Sequence, residues 1–388
     1  MLVCPYCYNA FAEREIEFRC TGRPGTADRR CPVRRDEQLL NWLGYATPLP
    51  PAFDADGRKL RARCPDCRGE TTRRICPHCH SRLPVHFGKV DGRLIAMIGA
   101  KQSGKTVYMT VLIHELMHRV GRALDAAVVG SDDETRKSFD RDYDRRLYTE
   151  HSLPDTTRPV AAKAQRLPLV FRLTVRRRQF ARSREKHTIL SFFDTAGEDL
   201  TTSESVDLNV RYLSNADGII LLLDPLQMPG ARGQALPDTV LPDDSGGGFE
   251  RPLNVLTRVT ELLRETISDP TQKIRTPLAV VFSKLDSLEH TFSPGTALTR
   301  TPELGPEFDT RGSLAVHHQV QALLDDWEGP QIDQLLHHNY EHFHYFGVSA
   351  LGGLPVDPRT VGQIRPHRVH DPFFWLLSKF GTIPASRR

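Results

Sequence analysis

The sequence has no cysteine beyond Cys79, although eight cysteines lie at or before that position. It also lacks long apolar runs: a stretch such as Gly218 to Leu223 is far shorter than the roughly 20 residues that a membrane-spanning helix requires. The first ten residues contain no basic segment followed by an apolar stretch and a cleavage site, as an export signal would. We therefore expect no membrane span, no disulfide-based secreted scaffold and a cytoplasmic location.

The chain has enough length and apolar content for a sizeable core. It contains 388 residues, of which 39% are hydrophobic and 26% charged, and this composition is typical of a globular protein. Its length exceeds that of one minimal domain, and the confinement of the cysteines places a boundary near residue 88. The predicted organisation is a zinc-binding region at residues 1–88 and a larger domain at residues 89–388.

The net charge of +4 is unevenly distributed along the chain. Residues 1–90 contain 16 lysines and arginines against 10 aspartates and glutamates. Two zinc ions, each held by four thiolates, would add about two negative charges per site to this region. The basic excess is therefore a poor argument for nucleic-acid binding.

The cysteines are spaced like metal ligands, and in a reducing compartment such clustering favours metal over disulfides. A Cys-x-x-Cys pair presents two sulfurs to one tetrahedral ion, and two pairs complete a closed zinc site. Sequence order predicts one site from Cys64, Cys67, Cys76 and Cys79 and another from Cys4, Cys7, Cys20 and Cys31. Four thiolates leave no open position, so both Zn²⁺ sites are predicted to be structural and to dock proteins, with nucleic acid as the alternative partner.

After residue 90, short apolar runs alternate with amphipathic stretches, which is the pattern of a doubly wound α/β fold. The second and third strands are joined by a short connection, so we expect them to pair antiparallel while the others run parallel. The predicted strands are Arg93–Ile98, Leu167–Val175, Thr188–Phe193, Gly218–Leu223, Leu278–Phe282 and Phe343–Val348. The predicted helices are Lys105–Ala123, Ser205–Ser214, Pro252–Ser268, Leu314–Trp327 and Pro372–Phe380.

The stretch from Gly99 to Thr106, GAKQSGKT, satisfies the phosphate-loop pattern G-x-x-x-x-G-K-[ST]. It follows a predicted strand and opens a predicted helix, which is the context that this loop requires. Gly99 and Gly104 let successive backbone N–H groups face phosphate oxygens at a helix N-terminus. Lys105 is predicted to neutralise the β- and γ-phosphates, and Thr106 to supply its hydroxyl to Mg²⁺.

Three further elements follow in order, each after a predicted strand. Asp194 to Gly197 reads DTAG and comes after an apolar strand, and Ser283 to Asp286 reads SKLD after another. Ser349 to Leu351, SAL, follows the last predicted strand. In open α/β sheets ligands bind at the carboxyl ends of the strands, so these elements and the phosphate loop are expected to converge on one nucleotide.

With these four elements the chain from about residue 90 to its end resembles a TRAFAC-class GTPase of the Ras-like kind. The resemblance implies a P-loop fold, with a mixed six-stranded sheet and helices on both faces, that binds GTP and Mg²⁺. It implies that Asp194 reaches Mg²⁺ through water and that Gly197 contacts the γ-phosphate. It also implies that Asp286 accepts hydrogen bonds from guanine, that Lys284 covers the base, and that Ser349 and Ala350 offer a backbone N–H to guanine O6.

A narrower resemblance is to the bacterial double-GTPase domain family, which is associated with multi-gene conflict systems. It is carried by the DTAGED sequence, by the preceding zinc-ribbon cysteines, and by V-x-D-P-x-x-W-L-L from Val369 to Leu377. The GTPase resemblance implies the behaviour of a molecular switch, and we expect a protein effector or regulator as the partner.

Three departures from the GTPase pattern bear on the chemistry. Ser283 stands where the family has Asn or Thr, which predicts a weaker brace between the base and phosphate loops. Glu198 occupies the position of the water-orienting Gln, and repulsion between its carboxylate and the γ-phosphate predicts slow hydrolysis. The long connection after the phosphate loop leaves Thr156 and Thr157 as candidates to close over Mg²⁺, and Thr157 is assigned with Lys105 and Glu198 as catalytic.

Two other interpretations of the nucleotide region stay open at this stage. Asp224 also ends a hydrophobic strand, and in a P-loop ATPase it would be the metal-binding acid, although we expect a structural role for it. The third interpretation is a zinc-dependent nucleic-acid adaptor with a degenerate nucleotide site. The basic turn from Arg176 to Lys186 is the other candidate surface for phosphates, but we expect it to be a solvated hairpin tip.

The phosphate-loop helix continues into a second pattern, H-E-x-x-H, from His114 to His118. On an ideal helix both histidines project away from the apolar stripe that would pack on the sheet. The longer metalloprotease pattern does not continue, because Leu124 stands where a third histidine would be. A catalytic zinc needs a third ligand and an enclosed cavity, so we expect no peptidase here.

Overall fold

The computed structural model describes most of the chain. The described residues are 1–23, 29–44, 48–100, 102–154, 168–179, 182–192, 210–242, 251–327, 329–357 and 359–386.

The strands are numbered here in chain order. They are β1 Leu2–Val3, β2 Ala10–Phe11, β3 Glu17–Arg19, β4 Ala52–Phe53, β5 Ala62–Arg63, β6 Glu70–Thr71, β7 Arg74–Ile75, β8 Asp91–Gly92, β9 Ile95–Gly99, β10 Ala126–Gly130, β11 Leu169–Gln179, β12 Arg182–Phe192, β13 Gly218–Leu223, β14 Leu278–Phe282 and β15 Phe343–Gly347.

The helical segments follow the same order. The α-helices are Glu37–Leu43, Lys105–Glu115, Gly121–Ala123, Asp133–Ser138, Arg145–Tyr148, Pro229–Gly233, Pro252–Arg264, Thr310–Asp326, Pro330–Asn339 and Asp371–Lys379, and residues 210–214 are also helical. The 3₁₀ segments are Glu13–Glu15, Pro225–Gln227 and Leu285–Thr291, and the π-helical segments are Leu116–Val120 and Phe139–Asp144.

The larger part of the chain forms a mixed sheet from two adjoining four-stranded ladders. Their orders are β10-β11-β12-β8 and β15-β14-β13-β9. The ladders adjoin because β8 and β9 are separated only by Arg93 and Leu94, and the Arg93 N–H donates to the Ile189 carbonyl of β12 at 3.1 Å. Pairing is antiparallel in β10–β11 and β11–β12 and parallel in the other pairs of these ladders.

This topology confirms the predicted P-loop GTPase fold, including the single predicted antiparallel hairpin. The six predicted strands correspond to β9, β11, β12, β13, β14 and β15. The edge strand β10 was not predicted; it lies in the insertion that follows the phosphate-loop helix and pairs with the outer side of β11. The Lys105–Ala123 helix is present over its whole length, but its middle part widens into a π-helical turn at Leu116–Val120.

The core of this part lies on both faces of the sheet because strand side chains alternate in direction. In β13, Ile219 and Leu221 join the apolar cluster on one face, whereas Ile220 and Leu222 join the cluster on the other. The helices Pro252–Arg264 and Thr310–Asp326 cover the first face. The helices Lys105–Glu115 and Asp371–Lys379 cover the second, so every residue of β13 is buried.

The N-terminal region has little regular structure. Its strands are two or three residues long and pair antiparallel: β1 with β2, β5 with β6, and β3 with both β4 and β7. The β3–β7 pairing brings residues near position 18 beside residues near position 75, so the beginning and the end of this region lie together. Among the described residues no helix combines the length and apolarity that crossing a membrane requires.

Candidate functional site

The phosphate loop connects β9 to the helix that begins at Lys105. Gly99 has no space for a side chain: a Cβ there would lie 2.5 Å from Ser103 Oγ and 2.8 Å from the Leu222 carbonyl oxygen. Gly104 has φ +79°, a left-handed conformation that glycine adopts without steric cost. Its carbonyl accepts the Tyr108 N–H at 2.8 Å and so starts the helix. Both positions therefore require glycine, Gly99 because a side chain would clash and Gly104 because of its backbone conformation.

The side chains of the loop fit a phosphate ligand. Lys105 and Ser103 are buried, at 7% and 1% exposed. Ser103 Oγ has no hydrogen-bond partner among the described residues, which is costly for a buried hydroxyl unless a ligand supplies one. Thr106 follows Lys105 in the first turn of the helix, and its carbonyl accepts the Thr110 hydroxyl at 2.8 Å.

The SKLD element follows β14 and lies directly beside the phosphate loop. Lys284 adopts a left-handed conformation, φ +54°, and its Cε lies 3.9 Å from the position of a Cβ on Gly104. Its ammonium group pairs with Asp224 at 2.6 Å. The aliphatic part of Lys284 therefore spans from the base-reading loop to the phosphate loop.

Asp224 is fully buried at the carboxyl end of β13. One carboxylate oxygen pairs with Lys284 and the other accepts the Leu226 N–H at 2.9 Å. Each carboxylate oxygen therefore has a protein donor, an arrangement consistent with the expected strand-end role of Asp224.

Asp286 is hydrogen-bonded to the loop that contains the last motif. Its Oδ2 accepts the Gly353 N–H at 3.1 Å, and the Ser349 hydroxyl also donates to its carboxylate. Burial raises the pKa of Asp286 to about 6, against the lowering effect of these hydrogen bonds and of the Lys284 charge. A half-buried carboxylate with this environment can gain strongly from ligand donors such as guanine N–H groups.

Ser283 connects the base loop to the phosphate loop, although related GTPases have Asn or Thr at this position. Its hydroxyl donates to the Ser103 carbonyl at 2.7 Å and is buried. The base loop and the phosphate loop are therefore joined by one short hydrogen bond. The sequence assigned no individual role to Ser103 or Gly353, since both join this site through backbone groups, the Ser103 carbonyl and the Gly353 N–H.

Several predicted site residues lie outside the described residues: Asp194, Gly197, Glu198, Thr156 and Thr157. Their assigned roles stay predictions. The described part of β12 ends at Phe192, and β12 runs parallel to β8. Phe192, the described end of β12, therefore lies at the same edge of the sheet as the phosphate loop. Ala350, by contrast, is described and lies half-buried beside Ser349.

The structure corrects the predicted grouping of the cysteines. Sequence order had grouped each half of the region separately, whereas the structure nests the two groups. We call the first group the outer tetrad and the second the inner tetrad. The outer tetrad is Cys4, Cys7, Cys76 and Cys79, and the inner tetrad is Cys20, Cys31, Cys64 and Cys67.

The prediction was wrong because ligand spacing defines pairs but not their partners. The β3–β7 pairing places the last Cys-x-x-Cys pair beside the first one, and the chain between them closes the inner tetrad. The three Cys-Pro-x-Cys turns share one geometry. The residue after each second cysteine, namely Tyr8, Arg68 or His80, has φ between 55° and 61°. The neighbouring histidines His78 and His80 belong to neither tetrad.

Both tetrads fit tetrahedral zinc. A zinc ion with four sulfur ligands at about 2.3 Å has sulfur–sulfur separations of about 3.8 Å. The separations are 3.8 Å for Cys4–Cys79 and Cys7–Cys76, 3.7 Å for Cys20–Cys67 and 3.6 Å for Cys31–Cys64. Backbone N–H groups also donate to the sulfurs, for example Tyr6 to Cys4 and Gly69 to Cys67, at 3.4 Å in each case. Such donors stabilise thiolate charge.

The two histidines of the H-E-x-x-H pattern do not meet the requirements of a catalytic metal. His114 Nδ1 lies 2.6 Å from Asp144, and its ring stacks on Tyr148 at 3.6 Å. His118 is exposed beside it, with ring centroids 4.4 Å apart. Within the described ranges the only groups of three or more ligands are the cysteine tetrads. The phosphate loop leads into this helix at Lys105.

The basic turn between β11 and β12 lies at the tip of an antiparallel hairpin. Arg176 pairs with Glu185 across the strands at 3.5 Å, and Lys186 donates to the Gly381 carbonyl at 2.9 Å. Part of its charge is thus paired within the protein. Nothing at the described end of this hairpin adds support for nucleic-acid binding.

Comparison with known proteins identifies a GTPase family. The model of a family described as Double-GTPase 2 matches residues 93–327 of this chain. A protein of Mycolicibacterium smegmatis, "Putative ESX-1 scaffolding and assembly protein SaeC", is 30% identical over 425 residues, which cover 99% of this chain and all of the relative.

Solved structures that match this chain at low identity include GTPases. The Arl6 BBS3 small GTPase of Trypanosoma brucei with a bound nucleotide analogue is 12% identical and covers 75% of this chain and 99% of its own, with a TM-score of 0.28. The SRb-GTP/SRX complex of the signal recognition particle receptor from Chaetomium thermophilum is also 12% identical. It covers 68% and 93%, with a TM-score of 0.29.

Proposed function

Because the chain belongs to the double-GTPase 2 family, we propose that it is a Mg²⁺-dependent molecular switch that binds GTP and hydrolyses it slowly. Its zinc-bearing N-terminal region holds protein partners, and its nucleotide state controls that contact. The predicted boundary near residue 88 divides these two tasks.

The observation that carries the proposal is the junction of base pocket and phosphate loop. Ser283 bonds to the Ser103 carbonyl, Lys284 lies against Gly104, and Asp286 faces the Ser349–Gly353 loop. A purine base bound at Asp286 thus has its phosphates directed toward the loop that ends in Lys105. This arrangement supports a nucleotide as the ligand and guanine as its base.

The roles of the remaining residues follow from their chemistry. Lys105 would neutralise phosphate charge, and the Thr106 hydroxyl and Asp194 would hold Mg²⁺, which would offset the charge of the phosphates. Gly197 would contact the γ-phosphate through its N–H, and Thr157 or Thr156 would complete the Mg²⁺ site. The loops that contain them become ordered on GTP and relax after hydrolysis.

The proposed partner class is protein. The relative from Mycolicibacterium smegmatis carries scaffolding and assembly in its name, and we extend that role to this chain as a nucleotide-controlled assembly scaffold in a bacterial multi-gene system. Closed cysteine tetrads agree with a docking role, since they leave no position for catalysis.

The test exchanges the specificity of the base pocket. Fluorescent GDP is expected to bind in magnesium-containing buffer at least tenfold more tightly than the matching ADP analogue, because only guanine gives Asp286 two donors. Asp286→Asn should lose this preference and gain affinity for xanthosine diphosphate, whose C2 carbonyl accepts from the new amide. Equal GDP and ADP affinities that Asp286→Asn leaves unchanged would remove the guanine assignment.

Hydrolysis has a separate test at Glu198. Glu198→Gln is expected to raise basal phosphate release from GTP, because the amide orients water without repelling the γ-phosphate. Lys105→Ala is the inactive control. A fall in phosphate release would instead make Glu198 the general base.

A further inference from the structure

We infer that zinc in the outer tetrad and nucleotide at the phosphate loop bind cooperatively, through Tyr8 and Tyr212. The inference rests on the proposed nucleotide binding and adds a regulatory role for one of the two tetrads. The inner tetrad has the same ligands and provides the internal comparison.

The first link is the turn of the outer tetrad. Tyr8 follows Cys7 directly, and its N–H donates to the Cys4 carbonyl at 3.0 Å, so the cysteine turn fixes its left-handed backbone. Its side chain is fully buried and belongs to the apolar core of the nucleotide-binding part. Its ring centroid lies 4.7 Å from that of Tyr212. A change in the turn must therefore displace a core residue.

The second link runs from Tyr212 to the phosphate loop. The Tyr212 hydroxyl accepts the Met97 N–H at 2.9 Å and donates to the Ile95 carbonyl at 3.2 Å. Both residues belong to β9, which ends at Gly99, the first residue of the loop. One aromatic ring thus connects the cysteine turn to the strand that positions the phosphates.

The same turn also contacts both described flanks of residues 193–209. On one side, Ser191 near the end of β12 donates to the Pro5 carbonyl at 2.6 Å. On the other side, Arg211 donates to Asn9 Oδ1 at 3.1 Å and Asn215 donates to the Tyr8 carbonyl at 3.3 Å. The sequence between these flanks contains Asp194 and Gly197.

These contacts predict that zinc and nucleotide each strengthen the binding of the other. Zinc fixes the turn, and the turn fixes β12, residues 210–215 and β9 in one relative position, so nucleotide binds a site that is already arranged. By thermodynamic linkage, nucleotide must then hold zinc more tightly to the same degree. The inner tetrad lacks this connection: among the described residues its cysteines cluster with each other and with Phe53.

The experiment measures zinc release from each tetrad separately. Cys64→Ser/Cys67→Ser keeps only the outer tetrad, and Cys76→Ser/Cys79→Ser keeps only the inner one. Zinc transfer to the chromophoric chelator 4-(2-pyridylazo)resorcinol is followed with and without GDP and Mg²⁺. GDP is expected to slow release from the outer tetrad by about fivefold or more, within the usual range of coupling between sites, and to leave the inner tetrad unchanged.

A second arm leaves all ligands in place. In the full chain Arg211→Ala and Asn215→Ala remove contacts to the turn, and each is expected to reduce the effect of GDP on the nucleotide-sensitive phase of zinc release. Asn339→Ala is the matched control, because Asn339 accepts from Arg264 at the far end of another helix. This arm decides the question if a serine variant does not fold.

The outcomes separate the two proposals. If fluorescent GDP does not bind the unaltered chain, the proposed function and this inference fail together. If GDP binds but zinc release is the same with and without it, or if both tetrads respond equally, the coupling alone is overturned.

Discussion

The N-terminal region and the nucleotide-binding part maintain their structure by different means. In the nucleotide-binding part, strands such as β13 and β14 consist entirely of buried apolar residues. In the N-terminal region the strands are two or three residues long, and buried charges replace part of the core. Arg74, 1% exposed, donates to the carbonyls of Phe87 and Gly57. The short strands of this region bury little apolar surface, and metal ions held by the two cysteine tetrads would add stability.

The two parts also treat buried carboxylates in opposite ways. Burial of Asp36, in the N-terminal region, raises its pKa, but hydrogen bonds from Leu39, Arg19 and His80 outweigh this effect and hold the pKa below its ordinary value. Asp286 has mainly neutral donors, and burial raises its pKa to about 6. Complete pairing marks Asp36 as structural. Incomplete pairing leaves Asp286 able to accept more from a ligand.

Removal of zinc is the largest expected effect and tests the first contrast. Structural zinc contributes on the order of 10 kcal/mol in small domains, so chelation should unfold the N-terminal region. The α-helices of eight or more residues lie between Lys105 and Lys379, so circular dichroism should retain most of its helical signal. Limited proteolysis should then cut within residues 1–88. An N-terminal region that resists protease after verified metal loss would contradict the contrast.

The separate tetrads sharpen that test. Cys76→Ser opens the outer tetrad, which contacts the nucleotide-binding part, and should lower the melting temperature of both parts. Cys64→Ser opens the inner tetrad and should affect only the N-terminal region. Proteolysis within residues 1–88 reports on the N-terminal region, and the fluorescence of Trp327 and Trp375 in a Trp42→Phe background reports on the other part.

The pH dependence of guanine binding is the next effect in size. Asp286 must be ionised to accept both hydrogen bonds from guanine. The affinity of the protein for GDP should therefore fall as the pH drops below about 6, by about tenfold at pH 5. Titration with fluorescent GDP between pH 5 and pH 8 measures this. Asp286→Asn is the control, since its residual binding keeps the titration of the phosphates but lacks that of the carboxylate.

The raised pKa of Asp286 has the opposite effect on folding stability: a lower pH weakens GDP binding but stabilises the folded state. A carboxylate with a raised pKa binds its proton more tightly when folded, so its contribution to the free energy of unfolding increases as the pH falls from about 6 toward 4. Asp36 contributes above its ordinary pKa, and that contribution is lost only at lower pH. A GDP affinity that is independent of pH between 5 and 8 would place Asp286 outside the base pocket.

The elements that were predicted correctly are those whose conformation depends on residues close together in sequence. A phosphate loop needs Gly99 and Gly104 for backbone conformation, and the strands Gly218–Leu223 and Leu278–Phe282 are continuous apolar runs, so their bounds were predicted to the residue. The edge strand β10 was missed, although its Ala-Ala-Val-Val-Gly run between aspartates is a weak strand signal. Short edge strands have half their surface exposed, which weakens the pattern.

Long-range pairing could not be predicted in the same way. Which Cys-x-x-Cys pairs share an ion depends on the β3–β7 contact, and that contact joins residues more than fifty positions apart. The position of Tyr8 in the core of the other part has no signal at all, since a tyrosine after Cys-x-x-Cys is equally compatible with an exposed turn. These are tertiary facts, and no local propensity encodes them.

The smallest expected effect compares one buried hydroxyl in each part. Ser283 donates to the Ser103 carbonyl and Thr71 donates to the Arg19 carbonyl, both at 2.7 Å and both buried. Ser283→Ala and Thr71→Val should each cost about 1 kcal/mol, the net value of one such bond. Only Ser283→Ala should also weaken GDP binding, by about fivefold, because its bond joins the two halves of the nucleotide site. Urea unfolding and GDP titration of both variants measure these effects, and equal GDP affinities would show that the base and phosphate loops are held together by other contacts.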